Sequence, residues 1–347
     1  MSPKKYICVV AGKSGGHIIP VATLCQKFLK DNPDFNVLFF STNSKLDSEI
    51  ISKYNFVSNH IKLEINGLSK NPIKLIKFNF NLIISFFKSF KILKKLNPIK
   101  VISTGGIISI PVCLSAILLK IPVEIYELNV IPGKATKFLS KFNVKIFTVF
   151  SNTCNYFNIK TGKDSCKLIN YPVRFVQENI IPKNLAIKKI NQELKPDHNF
   201  DTSKKTIFII GGSQGSVSIN KIVKDFFESN NESKNLYQVI HQTGQAQVEE
   251  LEKFYLEHKI TSLVFSFKNN LEFYYCASDI IISRAGAGSI FEILFFTKNL
   301  ENKKAIIIPL ENTADNHQVE NAKAIAKDYP EIFVVKRQND LKNNLLD

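Results

Sequence analysis

Short apolar runs recur along the chain, each followed by a glycine-rich or polar turn and then by residues with helical spacing. In the first half these runs are "YICVVAG", "NVLFFST", "KVISTGG", "VEIYEL" and "KIFTVF". Runs that are apolar at nearly every position mark strands buried on both faces, and their alternation with helical stretches predicts a parallel sheet wound by crossover helices. A helix is expected to open near His17 and continue from about Pro20, a lysine-rich helical stretch to precede "KVISTGG", and a further helix to follow it. The alternation pauses at "YPVR", and residues 176–205 are polar and rich in Lys, Asn and Pro, which predicts a short helix and a loop. A second series then begins: "TIFIIGGSQGSVSINK", "QVIHQTG", "SLVFSF", "DIIISRAGAGSIFEI" and "AIIIPL". The pattern reads as an α/β chain of two Rossmann-like domains, 1–172 and 173–347. Ligands of open parallel sheets bind beyond the carboxyl ends of the strands, where every one of these glycine turns falls, so both domains are expected to aim their turns at a cleft.

Composition adds bounds to this pattern. With 347 residues, 44% of them hydrophobic, the chain can fill two cores. Its six cysteines have no CxxC spacing and its histidines no HxxxH pair, so neither a disulfide framework nor a metal site is expected, and a reduced, cytoplasmic compartment fits best. The apolar run after "MSPKKY" is too short for a secretory signal. The most apolar stretch, "GIISIPVCLSAILLKIPV", carries prolines and follows a strand, which favours a buried crossover helix over a membrane span.

The formal net charge of +16 calls for an anionic partner, and its distribution is uneven. Between residues 65 and 100 there are eight lysines (70, 74, 77, 88, 91, 94, 95 and 100), no Asp or Glu, and five phenylalanines (78, 80, 86, 87 and 90). Basic and aromatic residues on one helical stretch read as an element lying on an anionic membrane surface. The alternative is an amphipathic helix with solvated lysines. No nucleic-acid-binding signature accompanies the stretch, so nucleic acid is not the expected partner.

Two nucleotide motifs fail on spacing. "AGKSGGH" offers "GKS", but the first glycine of a phosphate loop would stand where Ile7 is. "GGSQGS" is G-x-x-x-G, and no acid ends the following strand to hold an adenosine ribose, so NAD is not expected. What remains is a set of turns feeding helix N-termini, suited to a nucleoside diphosphate.

Taken together, "GKSGGHIIP", "STGGIISIP", "YELNVIPGKAT", "NYPVR", "GGSQGS", "HQTG", "SRAGAGSIFE" and "DNHQVENA" stand in an order that resembles the MurG family of peptidoglycan N-acetylglucosaminyltransferases over nearly the whole chain. The resemblance implies a GT-B glycosyltransferase fold. It also implies inverting transfer of GlcNAc from UDP-GlcNAc to the 4-hydroxyl of undecaprenyl-diphospho-MurNAc-pentapeptide, with no obligatory cofactor or metal. The enzyme would sit peripherally on the cytoplasmic face of the plasma membrane.

Carried over residue by residue, the resemblance makes His17 the catalytic base, since the positive end of a helix favours a neutral ring able to accept a proton. It assigns Ser14, Gly15, Gly16, Arg174, Ser213, Gln214, Gly215, Glu292, Gln318 and Asn321 to the donor. Lys13, Gly105, Gly106, Ser109, Glu127 and Asn129 fall to the acceptor, with Lys13 as a candidate contact to its lipid diphosphate. Each has a local alternative: His17 and Ser213 as helix caps, Arg174 as a surface residue, Ser289 with Glu292 and Asp315 with Gln318 as capping boxes. Lys13, Tyr126, Leu128 and Tyr171 depart from the family's Gly, His, Gln and Asn, which bears on the acceptor side. The family usually continues into a helix that returns to the first domain, which here is expected to be missing or abbreviated after "IFVVKRQNDLKNNLLD". Two further functions are compatible with the pattern: a GT-B transferase acting on another lipid such as diacylglycerol, and a non-catalytic sugar-nucleotide-binding protein.

Overall fold

The computed structural model describes residues 5–65, 71–157, 166–194, 199–212, 215–268, 270–311, 316–338 and 345–346. The chain divides into two compact units, 1–174 and Phe175–Asp347.

In the first unit the order is β1 (Lys5–Val10), α1 (Gly15–Asp31), β2 (Phe35–Thr42), α2 (Lys45–Ile51), β3 (Val57–Leu63) and α3 (Pro72–Leu96). Then come β4 (Val101–Ser103), α4 (Ser109–Leu118), β5 (Val123–Glu127), α5 (Lys134–Leu139), β6 (Lys145–Thr148) and β7 (Cys166–Leu168). The strands form one parallel sheet in the order β3-β2-β1-β4-β5-β6-β7. Ile7 and Val9 point to one face with Val37 and Phe39, while Cys8 and Val10 point to the other with Leu38 and Phe40. Burying each such Ile or Val contributes roughly 1.5–3 kcal/mol, which explains why these strands read as continuous apolar runs.

The second unit opens with α6 (Lys183–Asn191), inside the expected polar lead-in. It continues with β8 (Lys205–Ile210), α7 (Val217–Ser229), α8 (Ser233–Leu236), β9 (Tyr237–Gln242), α9 (Val248–Glu257), β10 (Ser262–Phe265) and α10 (Glu272–Ala277). The last elements are β11 (Ile280–Ser283), α11 (Ala287–Asn299), β12 (Lys304–Ile307), α12 (His317–Asp328) and β13 (Phe333–Val335). Its sheet is again parallel, in the order β10-β9-β8-β11-β12-β13.

Three strands missing from the sequence pattern, β3, β7 and β13, all lie at sheet edges. An edge strand buries less, and β3, "VSNHIKL", is largely polar. Helix α1 starts at Gly15 and keeps Pro20 inside it, so it opens earlier than the pattern suggested.

One sequence expectation is overturned. Cys154 and Cys166 form a disulfide that ties the 3-10 turn Ser151–Tyr156 to β7. The pairing crosses from the end of β6 to its sheet neighbour β7, a proximity that no cysteine spacing encodes. Cys8, Cys25, Cys113 and Cys276 are free and buried; burial pushes the Cys25 and Cys113 thiols up to about 12.

Helix α3 covers most of the lysine-rich stretch. Asn71 caps it by accepting from the amides of Ile73 and Lys74, Pro72 occupies its first position, and Asn97 ends it in the left-handed region. Phe78, Ser85, Ser89 and Leu93 form its buried face. A second apolar face is bare: Ile76 is 71% exposed, Phe80 62% and Phe87 64%. The helix thus carries apolar side chains on two faces, one buried and one exposed. Among the described residues no helix is long and apolar enough to cross a membrane.

Candidate functional site

In each sheet the strand order reverses once, between β1 and β4 in the first unit and between β8 and β11 in the second. Helices on either side of such a point leave in opposite directions, and the space above it is the natural ligand position of the fold.

In the first unit His17 stands at this point. It lies in the first turn of α1, half-buried, and its Nδ1 is 2.8 Å from the carbonyl oxygen of Thr104, just past β4. A carbonyl can only accept, so Nδ1 carries the proton and Nε2 is left as the basic nitrogen. Thr104 returns the bond through its hydroxyl to the His17 carbonyl at 2.9 Å. Two hydrogen bonds therefore lock the ring's turn to the neighbouring strand, 87 residues away in sequence.

The turn before His17 is held by a residue that sequence reasoning missed. Asp47, fully buried in α2, accepts from the Lys13 amide with both oxygens (3.0 and 3.1 Å), from the Thr42 amide at 3.2 Å and from the Thr42 hydroxyl at 2.5 Å. A Cβ on Gly12 would come within 2.8 Å of the same carboxylate. Lys13 has φ +73°, the left-handed region, which glycine adopts far more readily than lysine. Its side chain is exposed. Ser14 is the N-cap residue of α1, with its carbonyl receiving the amides of His17 and Ile18, and Gly15 and Gly16 open the helix.

Gly105 and Gly106, both at positive φ, form the next turn. Ser109 is fully buried, and its hydroxyl is 2.5 Å from the Gly105 carbonyl and 2.6 Å from the Ser103 hydroxyl. Its side chain braces the turn from within. Glu127, also buried, accepts from the amides of Asn129 and Gly133, each at 3.1 Å, and so organises its own loop. The apolar departures are absorbed by packing: Tyr126 stacks on Phe147 at 4.8 Å, and Leu128 and Tyr171 are buried.

In the second unit the corresponding position belongs to Arg284, at the end of β11, a residue inside the quoted "SRAGAGSIFE" that had not been singled out. It is 7% exposed. Its guanidinium donates to the Ser216 and Ser218 hydroxyls at the start of α7, to the Ile308 and Pro309 carbonyls and to Gln338 Oε1. Among the described residues every one of these acceptors is neutral, so a buried cation lies unneutralised beside the N-terminus of α7. Burial pushes its pKa below the usual arginine value.

Ser213 and Gln214 lie outside the described residues. The N-cap of α7 is Ser216, whose hydroxyl accepts from the Ile219 amide, so the cap is not Ser213. Gly215, at φ +76°, rests so closely on β9's end that a Cβ would come within 2.1 Å of the Thr243 carbonyl. That end is fixed by a buried network: Asn220 Nδ2 donates to the Thr243 carbonyl, and Asn220 Oδ1 accepts from His241 Nε2 at 3.0 Å. Tyr255 donates to His241 Nδ1 at 2.9 Å, and burial lowers the His241 pKa to about 3, so this ring is a neutral strut.

Glu292 lies within α11, which starts at Ala287 with Gly286 as its cap, so Ser289 and Glu292 do not form a capping box. Its Oε2 instead accepts from the buried Tyr275 hydroxyl at 3.1 Å. Gln318 accepts from the Leu310 amide, and buried Asn321 donates to the Ala285 carbonyl. Asp315 lies outside the described residues, and Arg174 is the last residue of the first unit. Among the described residues no cluster of His, Cys, Asp and Glu could hold a metal ion.

The glycosyltransferase family 28 N-terminal domain matches residues 7–148, and the family 28 C-terminal domain matches residues 206–347. The chain is 32% identical to the UDP-N-acetylglucosamine--N-acetylmuramyl-(pentapeptide) pyrophosphoryl-undecaprenol N-acetylglucosamine transferase of Thermosipho africanus, over 92% of this chain and 84% of that one. It is 31% identical to the Flavobacterium psychrophilum protein of the same name, over 98% and 87%. The crystal structure of Acinetobacter baumannii MurG superposes with a TM-score of 0.71 at 23% identity, over 97% of this chain and 87% of that one, and establishes the GT-B fold. The chain belongs to the MurG family of UDP-N-acetylglucosamine--N-acetylmuramyl-(pentapeptide) pyrophosphoryl-undecaprenol N-acetylglucosamine transferases.

Proposed function

We propose that the chain transfers GlcNAc from UDP-GlcNAc to the 4-hydroxyl of the muramyl sugar of undecaprenyl-diphospho-muramyl-pentapeptide, inverting C1, in peptidoglycan synthesis. The observation that carries the chemistry is the His17 ring, fixed by Thr104 with Nε2 left basic. Nε2 takes the proton of the acceptor hydroxyl while that oxygen bonds to C1 of GlcNAc. The bond from C1 to the diphosphate oxygen breaks, and UDP departs with the electron pair.

Positive potential for the leaving diphosphate comes from Arg284, from Arg174 and from the N-terminus of α7, so no metal is required for that role. Glu292, oriented by Tyr275, accepts from the ribose hydroxyls of the donor. Gln318 and Asn321 serve the donor sugar. On the acceptor side, the Gly105–Gly106 turn, Lys13 and Asn129 receive the lipid diphosphate and muramyl sugar, with Asp47, Ser109 and Glu127 shaping these turns from inside.

The bare apolar face of α3, rimmed by Lys74, Lys77, Lys88 and Lys91, rests on an anionic membrane at the cytoplasmic face. The test is incubation with labelled UDP-GlcNAc and a panel of lipid acceptors. Label is expected on the muramyl-pentapeptide diphospholipid alone. Label on diacylglycerol would replace this reading with that of a different lipid glycosyltransferase, and label on no acceptor with that of a sugar-nucleotide-binding protein.

A further inference from the structure

The six cysteines fall into two classes. Cys8, Cys25, Cys113 and Cys276 are buried thiols, and burial raises the pKa of each, which keeps them protonated and unreactive. Cys154 and Cys166 are paired, and both are partly exposed, so a small thiol in solution can reach their bond.

That bond ties a short strand to a short turn. β7 is three residues long and lies at the sheet edge beside β6, with Leu168 59% exposed, so little apolar burial anchors it. Cys154 stands in the 3-10 turn Ser151–Tyr156, which reaches the chain after β5 at two points. The hydroxyl of Thr153, fully buried, donates to the Asn129 carbonyl at 3.1 Å. The Tyr156 ring lies 5.5 Å from Lys137 Nζ on α5. From its other side the same loop is fixed by Glu127, which receives the Asn129 and Gly133 amides, and Gly133 is the N-cap of α5. Loop 128–133 is therefore clamped between Glu127 and a turn that the disulfide ties to the edge strand.

We propose that Cys154–Cys166 is a site of reversible thiol–disulfide exchange with a dithiol reductant, and that its state sets how firmly loop 128–133 is held. The consequence for the acceptor rests on the proposed function, which gives Asn129 to the acceptor and places the enzyme at the cytoplasmic face, where disulfides turn over. A thiolate of the dithiol attacks Cys166 Sγ, the S–S bond breaks, and Cys154 leaves with the electron pair. The Thr148 hydroxyl, 3.7 Å from Cys154 Sγ, is placed to donate to that thiolate. The second thiol of the reductant then attacks the mixed disulfide and expels the Cys166 thiolate. Each cysteine takes up a proton, so two electrons and two protons pass from the dithiol, which ends as a cyclic disulfide. With the cross-link open, Cys154 no longer ties its turn to β7, and Thr153 holds Asn129 less firmly.

The experiment uses the full chain, oxidised with glutathione disulfide or reduced with dithiothreitol, each state verified by its mass after alkylation. Amide hydrogen exchange of residues 128–133 is expected to quicken about fivefold on reduction, the worth of one hydrogen bond, while that of β8 stays as it was. In transfer assays the acceptor KM should rise by a similar factor, with kcat and the donor KM unchanged. Cys166→Ser should hold both readouts at their reduced values in either buffer. Thr153→Val, with the disulfide intact, should raise the acceptor KM alike and make it indifferent to reduction, which a cross-link of merely structural role would not do. A pair that stays reduced under the oxidant overturns the proposal, as do equal exchange and KM in the two states or an equal rise in the donor KM. If no lipid acceptor is labelled in either state, exchange at 128–133 still decides. Quickening on reduction then keeps the switch while the transferase reading falls, and unchanged exchange overturns the switch as well.

Discussion

The two units share a topology and differ in what they place at its switch point. In the first, α1 carries a histidine whose ring bridges to the neighbouring β4 turn. In the second, β11 ends in an arginine whose side chain bridges to the start of α7. Both contacts tie the two halves of a parallel sheet together above the reversal. The histidine gives one nitrogen to that task and keeps the lone pair of the other. The arginine gives all its donors to neutral oxygens and keeps only its charge. One scaffold thus leaves an unshared ring nitrogen in one copy and a fixed cation in the other; under the proposed function the first removes a proton from one substrate and the second accommodates negative charge on the other.

Replacing His17 by Ala should break the first half with the largest effect, a fall in turnover of about 10²–10⁴-fold, checked by single-turnover transfer with labelled donor. Next comes Arg284→Met: affinity for UDP should fall by about 10–100-fold while uridine binding changes little, because the loss is of charge toward phosphate. Isothermal titration of both ligands separates the two. Asp47→Ala should cost roughly 1–3 kcal/mol in thermal unfolding and raise the acceptor KM, since it leaves the Lys13 and Thr42 amides unpaired. Acceptor KM unchanged in that variant would dissociate the turn from substrate binding.

The struts should be sensitive to pH in one direction. His241 is held at a pKa of about 3 against an ordinary 6.5. The unfolded chain therefore binds the proton first, and the stability this ring supports is complete above about pH 6.5 and lost as pH falls toward 3. Urea unfolding between pH 7 and 4 should show a slope contribution of at most ~1.4 kcal/mol per pH unit, which His241→Asn removes. The smallest effect is on α3: each of Lys74→Ala and Lys77→Ala should weaken binding to anionic vesicles by about 1 kcal/mol, and added salt should shrink the difference. Unchanged binding would leave the apolar face alone responsible.

Much of the fold was legible because strands buried on both faces write continuous apolar runs, as in β1, β2 and β8. The edge strands were not, since "VSNHIKL" needs to satisfy only one neighbour and partly faces solvent. The histidine was legible from its glycine turn, whereas its partner was a backbone carbonyl, which carries no side-chain signal. Asp47 looked like any acid near a helix start; only the fold brings it under Lys13. Arg284 stood within a motif that was in plain view, but its meaning depends on Ser216 and Ser218, contacts made only by folding. The disulfide was missed for the same reason, because its two cysteines are brought together by the pairing of β6 with β7. Local chemistry could be read from spacing, and contacts across the sheet could not.

The division of labour between the two units is tested most directly by measuring UDP-GlcNAc affinity and turnover together in His17→Ala and Arg284→Met. His17→Ala is expected to bind UDP-GlcNAc within a few-fold of the unaltered chain and to fail to turn over, while Arg284→Met is expected to lose donor affinity by about 10–100-fold. Equal loss of donor affinity in the two variants, or near-normal turnover in His17→Ala, would contradict it.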